Sequence, residues 1–437
     1  MYNTIHLSLF NWMYCMNDLK RRIIFVIFIL IIYRIGAHIP IPLIDTKQII
    51  NSFSDINKNI FSLFNLFSGG ALAKITIFSL GIMPYISSSI VIQLLSAVWM
   101  PLKNIQKDGQ HGKKKLSNYT RLLTLLLATI QASAMATFLI TTSASNSFNT
   151  LHHLVIILSL ITGTLFLMWL GEQINEKGIG NGISLIIFTS IISNIPRSIV
   201  NAMEKLRQGE IGFLLMLIFI ISIILIIILI IIIERAQRKI FINYPKRQQG
   251  RKIYAAQTNY LPFKINMASV LPPIFASSVI LFPITIIKWI NNTFKLTILD
   301  SIVNLLAPGN ILYIILFSAF IAFFSFFYTN LIFNSTDTAD NLKKTGGFIS
   351  GIRPGEQTST YINKIINKLT YIGTVYLCIV CIIPELLVFF ANIPFYFGGT
   401  SLLIIVVVIM DFISQVQGRL ISQKYDALLK KNKYKKY

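Results

Sequence analysis

Apolar residues run along this chain in long, nearly unbroken blocks separated by short polar stretches, not in stripes at helical or strand spacing. A stripe marks an element half buried against a core, whereas a block that is apolar all round needs apolar surroundings. A bilayer core is about 30 Å thick and takes roughly 20 residues of helix to cross. Residues 211–233, almost pure Ile, Leu and Phe, meet that requirement without interruption. The pattern predicts nine further spans, at 23–39, 75–100, 122–141, 154–171, 183–198, 268–290, 311–333, 369–390 and 401–417. The fifth in chain order is the shortest, ending in Asn194 and Pro196.

Composition agrees with a membrane protein. Of 437 residues 54% are hydrophobic and 13% charged, and mean hydropathy is +0.68. Soluble domains carry about 25% charged residues, so half the usual solubilising charge is missing. The net charge of +23 fits nucleic acid, anionic lipid or acidic proteins equally until the charges are placed. Lys and Arg concentrate on the cytoplasmic side of membrane proteins. With the N-terminus inside, most of the 39 basic residues fall in cytoplasmic segments, from Lys20, Arg21 and Arg22 to the basic tail 418–437. Both termini are therefore expected in the cytoplasm. A cleavable leader is not expected, since residues 1–16 lack a basic start and a small-residue cleavage site.

The predicted organisation is a cytoplasmic segment 1–22, an N-terminal half 23–200, a C-terminal half 201–417, and the tail. Five spans in each half would invert the second half relative to the first, an arrangement common in membrane transport proteins. The fold class expected is an all-α polytopic membrane protein with ten transmembrane helices in two inverted halves of five.

Chemistry-bearing residues are few. Residues 60–72, IFSLFNLFSGGAL, are apolar but too short to cross, and Gly69 and Gly70 form a permissive joint. They are either a capping loop on the outer surface or a re-entrant stopper within a pore. Arg34, Glu172, Glu234 and Asp411 lie near span ends, and no acid–base relay is readable at mid-depth. No P-loop, HExxH or GxSxG is present. The glycines Gly178, Gly180 and Gly182 join two apolar blocks as a turn and follow no strand. His152 and His153 lack a third ligand. Cys378 and Cys381 sit in an apolar block as packing residues, so neither a metal nor a redox site is expected. The inside loops 235–267 and 334–367 are long and rich in Lys and Arg. They provide either generic attraction to anionic lipid or a shaped docking surface for an acidic partner or RNA. A small-solute transporter would bring polar groups together at mid-depth, and an intramembrane enzyme would place a nucleophile and base, or metal ligands, within its spans. Neither constellation is visible.

Several stretches carry a resemblance in order along the chain: LKRRIIFVIFILIIYRIGAHIPIP, FNLFSGGAL, LGIMPYISSSIVIQLL, LMWLGEQINEKGIGNGIS, YPKRQQGRKIYAAQ, TADNLKKTGGFISGIRPGEQT and PFYFGGTSLLIIVVVIMDF. From about Asp18 to Gln417 the chain resembles the SecY family of protein-export channels. The resemblance implies an hourglass pore between two halves, ringed by Ile82, Ile86, Ile183, Ile187, Ile274 and Ile404. It identifies 60–72 with the family's plug, including Phe64, Asn65, Phe67, Ser68, Gly69 and Gly70. The second, third, seventh and eighth spans would form a lateral gate toward lipid. Arg251, Lys252 and Arg353 would touch a SecA-like ATPase motor and the ribosome. SecE-like and SecG-like membrane subunits are the implied partners, preprotein signal sequences and membrane lipid the implied ligands. No cofactor, metal or catalytic residue is implied, and the chain would be no enzyme but a pore subunit of a bacterial inner membrane translocase.

Overall fold

The computed structural model describes residues 2–42, 65, 68–142, 150–209, 212–245, 247–249, 252–254, 257–294, 310–391 and 398–434. Helices dominate: α1 Tyr2–Gly36, α2 Met83–Val98, α3 Met100–Lys107, α4 Gly109–Thr142, α5 Thr150–Lys177, α6 Gly182–Arg207 and α7 Phe213–Arg235. Four strands follow, β1 Gln237–Tyr244, β2 Arg247–Gln249, β3 Lys252–Tyr254 and β4 Gln257–Lys264. The remaining helices are α8 Leu271–Phe294, α9 Ile311–Ile332, α10 Ser335–Thr345, α11 Glu356–Ala391 and α12 Gly399–Tyr434.

Each predicted apolar block falls on one of these helices, with informative differences at the ends. Among the described residues seven helices are long and apolar enough to cross a membrane, or eight if the bent pair α2–α3 is one span. Ten is not reached on that measure, and α8 contributes only the shorter apolar stretch Leu271–Leu281. The second block was expected to be helical from residue 75, but the helix begins at Met83. Ile75 and Gly81 both have positive φ, and Pro84 sits in the first turn of α2, where its fixed φ favours helix initiation. Residues 75–77 instead pair with 39–41, Ile41 N donating to Ile75 O and Ile77 N to Ile39 O. At the other end Trp99 is extended and Pro101 opens α3, turning the chain by 102°. The fifth block is longer than its apolarity shows, because α6 continues through Pro196 to Arg207.

The apolar surface identifies the solvent. In α7 only 17% of the best spanning window is buried, leaving a run of bare Ile and Leu. A face of that kind is stable only in lipid, where the helix also satisfies its own backbone hydrogen bonds.

The chain divides into two compact units, one of Met1–Glu204, Leu281–Pro308 and Ile404–Tyr437, the other of Lys205–Ile280 and Gly309–Leu403. In the first, α4 and α5 pack with residues 41 and 72–75 around Ile41, Leu72, Ile75, Leu139, Ile156 and Leu160. Ala128, Ala132 and Ala136 recur one turn apart on α4 and are fully buried, which lets helices approach closely. Gly163 of α5 approaches closer still, since a Cβ there would lie 2.2 Å from the Ile77 carbonyl oxygen. Gly163→Ala should therefore destabilise the protein by about 1–3 kcal/mol through overpacking. Gly418→Ala, where a Cβ meets nothing within 4 Å, should be neutral or mildly stabilising. Thermal unfolding of both variants in mild detergent checks the contrast.

The second unit holds a feature absent from the expected all-helical plan. Strands β1 and β4 pair antiparallel from Gln237↔Lys264 to Tyr244↔Gln257, and β2 pairs with β3 within the same excursion. Ile240, Ile242 and Phe263 point inward while Lys239 and Phe241 face out, the two-residue alternation of a half-buried strand. Ile240 and Phe263 pack on Ile349, Ile362, Ile366 and Leu369, so the hairpin is seated on the 346–355 loop and α11.

Candidate functional site

Three groups of residues stand out, one in the first unit, one in the second, and one with members in each. The first surrounds the glycine joint of segment 60–72. Asn65 and Ser68–Leu72 are described, whereas Phe64 and Phe67 lie outside the described residues. Ser68 and Gly69 are buried, and their backbone carbonyls need partners that a lipid surrounding does not provide. Tyr33 of α1 donates its hydroxyl to Ser68 O at 3.2 Å and lies 2.6 Å from Ser190 Oγ of α6. Arg34 Nη1 and Ser193 Oγ each donate to Gly69 O at 3.3 Å. Asn194 Nδ2 donates to Asn65 O at 3.5 Å, and Asn65 Oδ1 accepts from Ala73 N at 3.0 Å. The Ser68 hydroxyl caps Leu72 N at 3.2 Å. Two apolar helices thus present a polar cradle to one short segment.

Geometry makes the joint a glycine. Gly69 has φ +68°, in the left-handed region that costs other residues roughly 1–2 kcal/mol. A Cβ there would stand 2.9 Å from Tyr33 Oη and 3.0 Å from Ser190 Cα. At the rim of the cradle Lys74 Nζ lies 2.9 Å from His38 Nε2. Partial burial, then the Arg34 and Arg197 charges, lower the Lys74 pKa. The rim is therefore a concentration of positive charge.

The second group is aliphatic. Ile82 caps α2 and Ile86 lies one turn on, its N–H bonded to the Ile82 carbonyl. Ile183 and Ile187 repeat that spacing on α6, so each pair occupies one helix face. Ile82, Ile86, Ile187 and Ile404 are buried, and Ile183 is half-buried. Ile274 belongs to the second unit, one turn into α8, and is buried. None of the six side chains carries a hydrogen-bonding group.

The third group is the hairpin with the loop before α11. Asn243 and Phe348 exchange backbone hydrogen bonds at 2.9 and 3.0 Å, and Asn243 Nδ2 donates to Ser350 Oγ at 2.9 Å. Thr358 Oγ1 closes the next turn on the Arg353 carbonyl at 2.8 Å. Arg353 itself is exposed on this braced loop. Lys252 sits on β3, and Arg251 lies outside the described residues. Lys239 Nζ stands 4.7 Å over the Tyr260 ring, which holds the cation out on the hairpin's exposed face.

Other chemistry is quiet. Arg121 grips Glu172 through two 2.8 Å bonds, which ties α4 to α5 and keeps that carboxylate paired. Among the described residues no group of three His, Cys, Asp or Glu could hold a metal. Cys378 and Cys381 are not joined in a disulfide, and Cys378 Sγ donates to Ser318 O at 3.8 Å. The turn after α5 is built by side-chain caps, Asn175 Oδ1 accepting from Gly182 N and Gln415 Oε1 from Gly180 N.

Sequence reasoning did not find the cradle. Its readable trace is Ser190, Ser193 and Asn194, spaced three and four apart on an otherwise apolar helix.

The SecY family model matches residues 76–413. The protein translocase subunit SecY of Buchnera aphidicola subsp. Schizaphis graminum is 52% identical over 95% of both chains. That of Escherichia coli is 49% identical over 97% of this chain and 96% of its own. Among solved structures, a protein-conducting channel aligns at TM-score 0.66 with 17% identity over 93% of each chain. Another, described as a SecY whose plug domain stabilises the closed translocation channel and maintains a membrane seal, aligns at 0.67 with 18% identity over 93% of each. A channel in a canine ribosome complex aligns at 0.62 with 17% identity over 93% of each. Apolar helices and kinship together make this a multi-pass protein of the bacterial inner membrane and a channel subunit rather than an enzyme. By a model spanning most of its length and by relatives half identical from end to end, the chain belongs to the SecY family.

Proposed function

We infer that the chain conducts unfolded preproteins across the membrane and releases apolar segments sideways into lipid. Ile82, Ile86, Ile183, Ile187, Ile274 and Ile404 form the constriction. Their branched side chains close around an extended chain without bonding it, and an apolar neck resists ions by dewetting. Segment 60–72 is the plug, in which Phe64, Asn65, Phe67, Ser68, Gly69 and Gly70 stopper the neck from outside. Helices α2, α4, α8 and α9 form the lateral gate, through which a segment partitions by the same transfer energies that mark the spans. The two halves are residues 23–200 and 201–417, and both termini are cytoplasmic. SecE-like and SecG-like subunits accompany the chain. Arg251, Lys252 and Arg353 meet a SecA-like motor or the ribosome, which supply the energy from outside the channel.

The observation that carries this reading is the cradle. A short segment ending in glycines is tied to α1 and α6 by individually weak bonds, several of them 3.2 Å or longer. Leu72 anchors the segment's end in the core of the first unit, and the stretch before it is held at Asn65, Ser68 and Gly69 by hydrogen bonds that a stopper can both make and release. Each such bond contributes about 0.5–1.5 kcal/mol net, enough to seat the segment and little enough to lose.

Vesicles carrying the chain with its small membrane partners, given a SecA-like ATPase and an unfolded preprotein, test the function. Preprotein should become protected from external protease, and loss of protection with intact vesicles would refute the reading. Arg353→Glu reverses the charge on the exposed loop. It should cut motor-driven protection at least tenfold, the loss expected when one charge contact at an interface is inverted. Membrane insertion of the chain should be unchanged. Normal motor-stimulated ATP hydrolysis with that variant would remove Arg353 from the contact.

A further inference from the structure

Glu234 is a carboxylate at the inner end of α7, only 7% exposed, for which the channel reading above has no use. Asn266, 3% exposed, follows β4 and donates its Nδ2 to Glu234 Oε1 at 2.6 Å. The same Nδ2 donates to Ser269 O at 3.1 Å. Ser269 has φ +54°, a conformation that non-glycine residues hold only when their surroundings enforce it. Two residues later α8 begins, and Ile274 lies in its first turn. Backbone pairing continues to this point, with Ile265 N bonded to Ala236 O at 3.2 Å. A third element closes the junction, since a Cβ on Gly373 of α11 would stand 3.0 Å from the Ile265 carbonyl oxygen. All of these residues lie in the second unit.

Both ends of the 237–264 hairpin therefore meet at one buried, charge-assisted bond. We propose that Glu234 and Asn266 are positioning residues that clamp the base of the hairpin to the start of α8, so that load applied to the hairpin moves Ile274. The proposal rests on the channel reading and extends it to the route by which a docked partner opens the neck. The bond is the right kind for the task. A hydrogen bond to a charged group in a site of low polarity is short and strong, and it cannot be traded for water while it stays buried. The hairpin above it is stiffened by eight paired positions on each strand and by its apolar seat on α11. A push on the β1–β4 ladder would thus reach the Asn266–Ser269 turn as movement of a lever and not dissipate as bending of a loop.

The test uses the full chain with its membrane partners in vesicles, the motor ATPase and a preprotein. Glu234→Ala should leave motor affinity and the resting ion seal as in the unmodified chain. Preprotein transported per ATP hydrolysed should fall roughly tenfold, within the range of coupling between separated sites. Glu234→Gln keeps an acceptor for Asn266 and should restore transport to within about threefold, since the charge assistance alone is lost. Should Glu234→Ala fail to fold, Asn266→Ala, which leaves the carboxylate in place, carries the same expectation. Unchanged transport per ATP in the Ala variants would overturn the proposal. So would motor affinity falling in step with transport, which would make the pair a support of the docking surface and nothing more. Absence of transport by the unmodified chain would instead strike the channel reading, and the two failures are separately visible.

Discussion

Replacing Ile86 and Ile187 together by glycine should turn a silent resting membrane into one that conducts ions, by at least an order of magnitude in leak current. Each substitution strips a whole branched side chain from a buried isoleucine position on its helix. An apolar neck excludes ions because water itself withdraws from it, and widening the neck lets a continuous water column form. Stability separates this account from ordinary packing. Both residues are buried, Ile86 at 4% and Ile187 at 2% exposed. If they were plain core, each truncation would cost about 2–5 kcal/mol, and the double variant would yield little folded protein. A neck that opens toward water tolerates the loss far better. The expected pair of results is a folded, partner-binding complex and an elevated single-channel leak. A folded complex with unchanged conductance would take these two residues out of the constriction.

Gly69→Val should unseat the plug. The substitution meets two costs at once, a left-handed backbone that valine resists and a Cβ pressed against Tyr33 Oη and Ser190 Cα. Tyr33 Oη is one of the groups that hold the segment and Ser190 Oγ is its partner, so the clash falls on the cradle itself. With about 1–2 kcal/mol from the backbone alone, the population of unseated channels should rise roughly tenfold. Brief ionic openings should become frequent, and preproteins with weakened signal sequences should be exported more readily. Tyr33→Phe removes the hydroxyl that serves Ser68 O and Ser190 Oγ and should act in the same direction, less strongly. Because both changes damage one seat, the double variant should show less than the sum of the two effects. Fully additive openings would place Gly69 and Tyr33 in separate processes.

Much of the architecture is readable from apolar blocks alone, because a helix facing lipid on most sides has nothing polar to interrupt it. Block ends are less readable. The turn at residues 75–82 is as apolar as the helix it precedes, and only backbone conformation at Ile75 and Gly81 distinguishes them. Helix α6 runs past the point where its apolarity fades, since Pro196 is accommodated within it. The hairpin has a faint trace in the strand-favouring run Ile240, Phe241 and Ile242, but that run is short and embedded in a basic loop. The polar cradle is the hardest to read. Tyr33 and Ser190 are 157 positions apart, and nothing local to either indicates the other. The proposed aliphatic neck is invisible to periodicity for a different reason. Isoleucine is the commonest way to fill any of these helices, so only resemblance to a family singles out six of them.

The most direct test of the channel account places a photoreactive side chain, one at a time, at positions 86, 187, 274 and 404, and at Ile224 on the exposed face of α7 as a control. A preprotein is then stalled midway by a folded domain at its end, and the vesicles are irradiated. The account predicts that the stalled chain is captured from all four neck positions and not from position 224. Capture from position 224, with none from the four isoleucines, would contradict it.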